Sequence, residues 1–326
     1  MKDENPPKTL LDVVGNTPIV QLRKITNHVS SQIFAKLEFL NPMGSVKDRI
    51  AKYMIEKAEK QGKLKPGQLI IENSSGNTAL GLAMVAIQKG YQLKVVVRDR
   101  ISREKISQLQ HLGVDVHLVD STLPPEDPSS YNNITPKIVN DTPGCFFPDQ
   151  HNNRENNETH YMTTGPEIWK QMDGKIDYFV AGMGTGGTIG GVAQYLKEQD
   201  PRIKVIAIDP QGSIFYHYFH TKKMIKPGPY LIEGLGDEFL IKCADFTHID
   251  DIYQISDKDA FLYTRKLVRE EGIMGGGSSG AALWGVLKLA ESLKEPARIV
   301  TIFPDGTSRY LSTIFNDQWM KEHHFL

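Results

Sequence analysis

The 326-residue chain carries 38 lysines and arginines against 39 aspartates and glutamates, a formal net charge of -1, so it lacks the one-signed field that draws a protein to nucleic acid or to an anionic membrane surface. No run of about 18 apolar residues is present to span a bilayer, and the N-terminal MKDENPPKTLLDVV has no apolar signal-peptide core. Its two cysteines, Cys145 and Cys243, stand far apart without CxxC spacing, which supports neither a disulfide framework nor a thiolate metal site. A cytoplasmic protein of one or two domains is expected, with no metal and no nucleic-acid or membrane partner.

In chain order, NPMGSVKDRI (residues 41–50) leads into a helix with Ile50, Met54, Ile55 and Ala58 on one face, ending at Gly62. Lys47 stands at its start, where the helix dipole favours an anion; on its own it reads as a solvated cation. QLIIE predicts a strand, NSSGNT a turn and ALGLAMVAIQKG a helix ended by Gly90. LKVVVR, REKISQLQHLG and VDVHLV follow as strand, helix and strand. Residues 121–160 break the rhythm. STLPPEDPSSYNN and HNNRENNETH are rich in Pro, Ser and Asn and predict loops or a crossover between folded units. HNNRENNE is open to acting as a mobile lid.

A second series follows: helix TGPEIWKQM, strand DYFVA, a glycine loop, helix VAQYLKEQ and strand KVIAID. Helix DKDAFLYTRKLVREEG, another glycine loop, helix AALWGVLKLAESL and strand RIVTIF close it. The alternation predicts an α/β fold of two doubly wound parallel-sheet domains with a cleft between them. The smaller covers residues 46–153 and the larger residues 1–45 plus 154–326.

Three turns carry chemistry. GMGTGGTIGG (182–191) lies between strand and helix, where glycines let backbone N–H groups converge on an anion. It also satisfies G-x-G-x-x-G through Gly182, Gly184 and Gly187, and KVIAID ends in Asp209 where a dinucleotide fold places its ribose-binding acid. A nicotinamide-dependent oxidoreductase therefore competes with a site for a terminal monophosphate, whose free oxygens suit the extra hydroxyls of Thr185 and Thr188. NSSGNT (73–78) welcomes a carboxylate at a helix start or simply caps the helix, and GGGSSGAA (275–282) is open to the same two readings. A phosphate, a carboxylate and a lysine together match pyridoxal phosphate joined to an amino acid, with lysine forming its Schiff base.

NPMGSVKDR, SSGNTALGLA, TTGPEIW, GTGGT, GSSGAA and RYLS, in this order from about residue 11 to the C-terminus, resemble the cysteine synthase and cystathionine β-synthase family. The resemblance implies pyridoxal-phosphate enzymes with the tryptophan-synthase-β-subunit-like fold type II, the cofactor in the inter-domain cleft, and a homodimer. Carried over, Lys47 is the Schiff-base lysine and Asn77 holds the ring hydroxyl oxygen. Gly184, Thr185, Gly186, Gly187 and Thr188 cradle the phosphate, and Ser278 faces the pyridine nitrogen. Ser74, Ser75, Thr78 and Gln150 bind the substrate α-carboxylate. A neutral Ser278 makes the ring a weaker electron sink than an aspartate would, which predicts β-replacement, with Lys47 moving the α-proton both ways.

Within the family, DPQGS (209–213), EGLGDEF with Glu233, and the tail STIFNDQWMKEHHFL resemble the cystathionine β-synthase branch. An acid near the leaving group suits hydroxide from serine; Glu233 reads equally as a surface carboxylate or a capping partner. His151 and Asp237 stand where the animal β-synthase has tyrosines, so the thiol pocket departs from that pattern. Activation by S-adenosylmethionine and haem-based sensing are not expected. Serine with homocysteine is the expected pair, cysteine synthase on O-acetylserine and sulfide is the alternative, and enzymes of diaminopropionate-type products are more distant.

Overall fold

The computed structural model describes residues 8–74, 76–99, 101, 103–124 and 127–326, with backbone alone at 103, 104 and 132. The strands are β1 (Ile19–Gln21), β2 (Gln32–Leu37), β3 (Leu69–Asn73), β4 (Gln92–Arg98), β5 (Asp115–Val119), β6 (Tyr178–Gly182), β7 (Lys204–Pro210), β8 (Asp251–Ile255) and β9 (Arg298–Phe303). The helices are α1 (Lys47–Lys60), α2 (Asn77–Lys89), α3 (Arg103–His111), α4 (Tyr131–Asn140), α5 (Glu155–Met162), α6 (Thr164–Gln171), α7 (Gly187–Gln199), α8 (Phe215–Thr221), α9 (Asp257–Glu271), α10 (Gly277–Ser292) and α11 (Asp317–Glu322). The chain divides into two compact units, Met1–Gly15 with Asn41–Asp149, and Asn16–Leu40 with Gln150–Leu326.

The first unit is built on a parallel sheet in the order β3-β4-β5. Val95, Val96 and Val97 are all fully buried, as expected of a parallel strand covered on both faces. α2 is buried along Thr78–Ala86 and ends at Gly90, whose φ of 76° closes the helix in the left-handed conformation. α1 packs Ala51, Ile55 and Ala58 into the same core. Leu11 joins that core, and its carbonyl accepts a hydrogen bond from Lys52 Nζ at 3.0 Å. Residues 8–15 and 41–45 therefore go with the unit that carries α1 and α2, whereas the sequence grouped them with the larger domain.

The second unit holds a six-stranded sheet in the order β1-β2-β9-β6-β7-β8, parallel except for β1. Side chains alternate across it, because successive residues of a strand point to opposite faces. Val180, Ile206 and Ile208 face α10 and Phe261, while Phe179, Ala181, Val205 and Ala207 face α7 and Ile168 of α6. Helices thus cover both faces. The carboxyl ends of β6, β7 and β9 open onto the loops at 183–186, 211–214 and 304–306, where open α/β sheets place ligands.

Two predicted loops fold as helices. α4 and α5 lie inside the segment 121–160, and β1, β2, β8, α8 and α11 were not anticipated. The buried residues of α5 are Asn156, Thr159 and His160, so its inward face is polar and leaves no apolar period to find. It packs against α7 within this unit. Among the described residues no helix is long and apolar enough to cross a membrane, and no group of three or more His, Cys, Asp or Glu is placed to hold a metal ion.

Fully buried Lys36 on β2 ties the sheet to α6, with Nζ 2.8 Å from Glu167 and 3.0 Å from Gln171 Oε1. Removing one partner of a buried pair leaves a charge without its match. Lys36→Met is expected to cost about 3 kcal/mol, with part of the loss recovered in Lys36→Met/Glu167→Gln, as read from urea unfolding midpoints.

Candidate active site

The glycine loop runs from the end of β6 into α7. Gly186 is the N-cap, at φ 83°, and contributes no capping side chain. A Cβ on Gly187 would collide with Asn156 Oδ1. The first N–H groups of α7 have no acceptor within the helix, and the first intrahelical bond is Gly190 N–H to Gly186 O at 2.9 Å.

α2 and α10 start the same way, on Gly76 and Gly276, again without a side-chain cap. α9 and α11 are capped by side chains, Ser256 accepting from Asp259 N and Asn316 from Gln318 N and Trp319 N. The starts of α7 and α10 carry no N-cap side chain, and a helix start left in this way suits an anion.

α5 supplies side chains that the sequence reading missed. Asn156, fully buried, donates from Nδ2 to Thr185 Oγ1 at 3.0 Å and to the Gln150 carbonyl at 2.7 Å. Because Thr185 Oγ1 accepts that bond, its own proton is left to donate elsewhere. His160, also fully buried, spans two hydroxyls, with Nε2 3.1 Å from Thr188 Oγ1 and Nδ1 2.9 Å from Thr164 Oγ1. The signal was the four-residue spacing of Asn156 and His160, two polar groups on consecutive turns of α5, with Thr164 opening α6.

Ser278 is the second residue of α10 and is buried. Gly276 N–H donates to the Asp305 carbonyl at 3.0 Å, and Tyr310 OH donates to Asp305 Oδ2 at 2.7 Å beneath this turn. Burial pushes the Tyr310 phenol well above its ordinary range, and the charges of Asp305 and Glu233 push it further. Glu233 is thereby close enough to act on the group that underlies the Ser278 turn. The second unit thus collects Gly184–Thr188, Gln150, Ser278 and Glu233.

The first unit collects Lys47, Asn77, Ser74 and Thr78. Lys47 opens α1, with its N–H donating to Ser45 Oγ at 3.2 Å and its carbonyl packed against Gly81, one helical turn after Asn77. Asp48 receives Met43 N–H at 2.6 Å and fixes the NPMGS turn ahead of it. Ser74 Oγ accepts from Gly76 N–H at 3.4 Å. Ser75 lies outside the described residues.

A family model described as pyridoxal-phosphate dependent enzyme matches residues 10–305. The chain belongs to this family. Members are similar along almost the whole chain. Cystathionine β-synthase of Apis mellifera is 43% identical over 97% of this chain and 63% of its own length. Cysteine synthase of Staphylococcus aureus is 38% identical over 95% of this chain and 97% of its own. The solved structure of an O-acetylserine dependent cystathionine β-synthase from Helicobacter pylori superposes with a TM-score of 0.87, at 38% identity over 95% of this chain and 98% of that one. The chain therefore spans 63% of the length of the Apis mellifera relative.

The pyridoxal-phosphate family uses a cofactor with one phosphate monoester, and the residues present fit it. The N–H groups at Gly187–Ile189 and the Thr185 hydroxyl proton are donors that no acceptor among the described residues takes up, and the buried Ser279 hydroxyl at the start of α10 likewise has no partner among them. The dinucleotide alternative falls. The acid it requires at the strand end, Asp209, is fully buried and accepts Tyr216 N–H at 2.9 Å, so it is withheld from a ribose.

Gly187→Ala drives a methyl group into Asn156 and removes the partner that orients Thr185. Affinity for pyridoxal phosphate is expected to fall by at least about tenfold, which is about 1.4 kcal/mol, in a fluorescence titration of the apoprotein, with the far-UV spectrum unchanged.

Proposed function

We propose that the protein replaces the β-substituent of serine or an O-activated serine with a thiol, with serine and homocysteine as the preferred pair and cystathionine as the product. The observation that carries this reading is the pairing of a glycine-led, uncapped α7 with a neutral serine, Ser278, in the first turn of an equally uncapped α10. Bound pyridoxal phosphate supplies an electron sink conjugated to the substrate Cα.

In this proposal the backbone N–H groups and hydroxyls of Gly184–Thr188 hold the phosphate, and Asn77 holds the ring hydroxyl oxygen. Lys47 would hold the cofactor through its aldehyde carbon in the resting protein. The Lys47 amine, when released, would take the substrate Cα proton and later return it. Ser74, Ser75, Thr78 and Gln150 bind the α-carboxylate. Ser278 faces the ring nitrogen without holding a proton on it as a carboxylate would, so departure of a β-group is favoured over transamination. In its protonated form Glu233 would supply the proton that a departing hydroxide needs and acetate does not. A cytoplasmic homodimer is part of the proposal on the strength of the family resemblance.

Cysteine synthase on O-acetylserine and sulfide is the second reading, favoured by the near-complete match in length to the Staphylococcus aureus enzyme. The Helicobacter pylori neighbour, named for O-acetylserine dependence, favours testing that donor with homocysteine as well.

The test is a matrix of serine or O-acetylserine against homocysteine or sulfide, with kcat/KM for each pair. Homocysteine pairs are expected to lead; O-acetylserine with sulfide ahead by orders of magnitude replaces the first reading with the second. Lys47→Ala is expected to lower kcat by at least about 1,000-fold for every pair, the scale of a lost acid–base group, and turnover that survives the substitution contradicts the assignment.

A further inference from the structure

The glycine loop and the first turn of α7 carry two hydroxyls, on Thr185 and Thr188, and both residues are half-buried beside buried Gly186, Gly187 and Ile189. Each hydroxyl has a fully buried side chain of α5 on it. We infer that α5 fixes the proton direction of both, with His160 held as the neutral tautomer that carries its proton on Nε2, which makes His160 a positioning residue for the cofactor's phosphate. The tautomer rests on geometry; its meaning for the phosphate rests on the proposed function, which sets that group at the start of α7.

α5 comes this close because α7 presents glycine to it. A Cβ on Gly187 would meet the Asn156 side chain, one on Gly190 the Asn157 side chain, and one on Gly191 the Asn157 carbonyl and His160 Cβ. Asn157 Nδ2 donates in turn to the Cys243 carbonyl at 2.9 Å, the atom that a Cβ on Gly186 would strike. Asn156 and His160 are thereby seated against the hydroxyls with little room to turn.

At Thr185 the direction can be read from the partners. The Gln150 backbone carbonyl only accepts, so the Asn156 atom 2.7 Å from it is the amide nitrogen, and the same nitrogen stands 3.0 Å from Thr185 Oγ1. Thr185 therefore accepts, and its own proton points elsewhere.

At Thr188 the ring lies between two hydroxyls, and Thr164 decides which way it faces. Thr164 is fully buried, so its proton needs an acceptor. His160 Nδ1 is 2.9 Å from Thr164 Oγ1. The Thr163 hydroxyl is 3.5 Å away, at the outer edge of hydrogen bonding, and itself donates to the Thr159 carbonyl at 2.7 Å. The Thr164 proton goes to Nδ1, which is therefore bare. A neutral imidazole with a bare Nδ1 carries its hydrogen on Nε2, and Nε2, 3.1 Å from Thr188 Oγ1, donates to it. A proton on Nδ1 would push that of Thr164 onto the 3.5 Å contact.

Thr188 Oγ1 makes no other hydrogen bond among the described residues, so its proton, like that of Thr185, is left for an anion at the helix start. The relay runs from the Thr164 hydroxyl to Nδ1, from Nε2–H to the Thr188 oxygen, and from the Thr188 proton to the phosphate. In the opposite tautomer Thr188 would give its proton to the ring and turn lone pairs towards the phosphate.

Nitrogen-15 NMR of the holoenzyme with ring-labelled histidine tests the tautomer, His160 being picked out of the ten histidines by the signals missing in His160→Gln. A hydrogen-bearing Nε2 and a bare Nδ1 are expected; a proton on Nδ1, alone or with one on Nε2, overturns the inference. A double-mutant cycle on pyridoxal phosphate affinity, read by fluorescence titration of the apoprotein, tests the positioning role. Thr188→Val is expected to weaken binding about tenfold, the scale of a hydrogen bond to a charged group. His160→Leu weakens it several-fold, whereas the double variant binds no worse than Thr188→Val. His160→Gln, whose amide sets a donor at the reach of Nε2, stays within about twofold of the parent. Losses that multiply in the double variant, or a His160→Gln protein as weak as His160→Leu, overturn the positioning role. Thr188→Val binding as tightly as the parent overturns instead the proposed placement of the phosphate, and the positioning role with it, and leaves the ring spectrum to decide the tautomer.

Discussion

The N–H groups in the first turn of α7 have no acceptor inside the helix, and no side chain covers them. The chain begins this helix on a left-handed glycine and follows it with a second glycine pressed against Asn156, so the helix start stays open as a concentrated positive dipole. Neighbouring parts of the unit are arranged around that opening. Asn156 and His160 from α5 hold the hydroxyls of Thr185 and Thr188, and the 233–237 loop lies against Gly184. An anion at this point is stabilised by groups already in place, with no reorganisation of the backbone required.

Electrostatic tuning of the second helix start is different in kind. Ser278 is neutral, and the nearest ionisable neighbours stand one layer behind it. Tyr310 and Asp305 form a buried hydrogen-bonded pair beneath the Gly276 turn, and Glu233 acts on the Tyr310 phenol. Charge is thus kept close to the Ser278 turn through a buried tyrosine whose proton is strongly retained. Under the proposed function, such an arrangement would set a polar, uncharged Ser278 beside the ring, which suits departure of a β-group without deep stabilisation of a carbanion.

Much of this was legible in the sequence, and the gaps have physical causes. β-branched runs such as KVVV and IAI marked parallel strands, because burial on both faces leaves them continuously apolar. The glycine-rich turn at 182–187 marked the start of α7, because a left-handed N-cap such as Gly186 favours glycine. α5 was read as loop because its buried face consists of Asn156, Thr159 and His160; it docks on α7 through the His160–Thr188 hydrogen bond and the edge-on contact of Tyr161 with Tyr195. β1 is only three residues long, and β8 has a mixed burial pattern at the sheet edge, so neither shows a clear period. Asp209 was noticed as a strand-end acid and given a ribose-binding role; only its complete burial and its bond from Tyr216 N–H show that it is withheld from a ribose.

The central claim is that the open start of α7 holds the cofactor's phosphate away from bulk solvent as a fixed dianion. Phosphorus-31 NMR of the holoenzyme across roughly pH 5.5 to 8.5 tests it directly, because a solvated phosphate monoester changes charge with a second pKa of about 6. The account predicts a single resonance whose chemical shift stays constant over that range. A resonance that titrates with a midpoint near that of the free cofactor contradicts it.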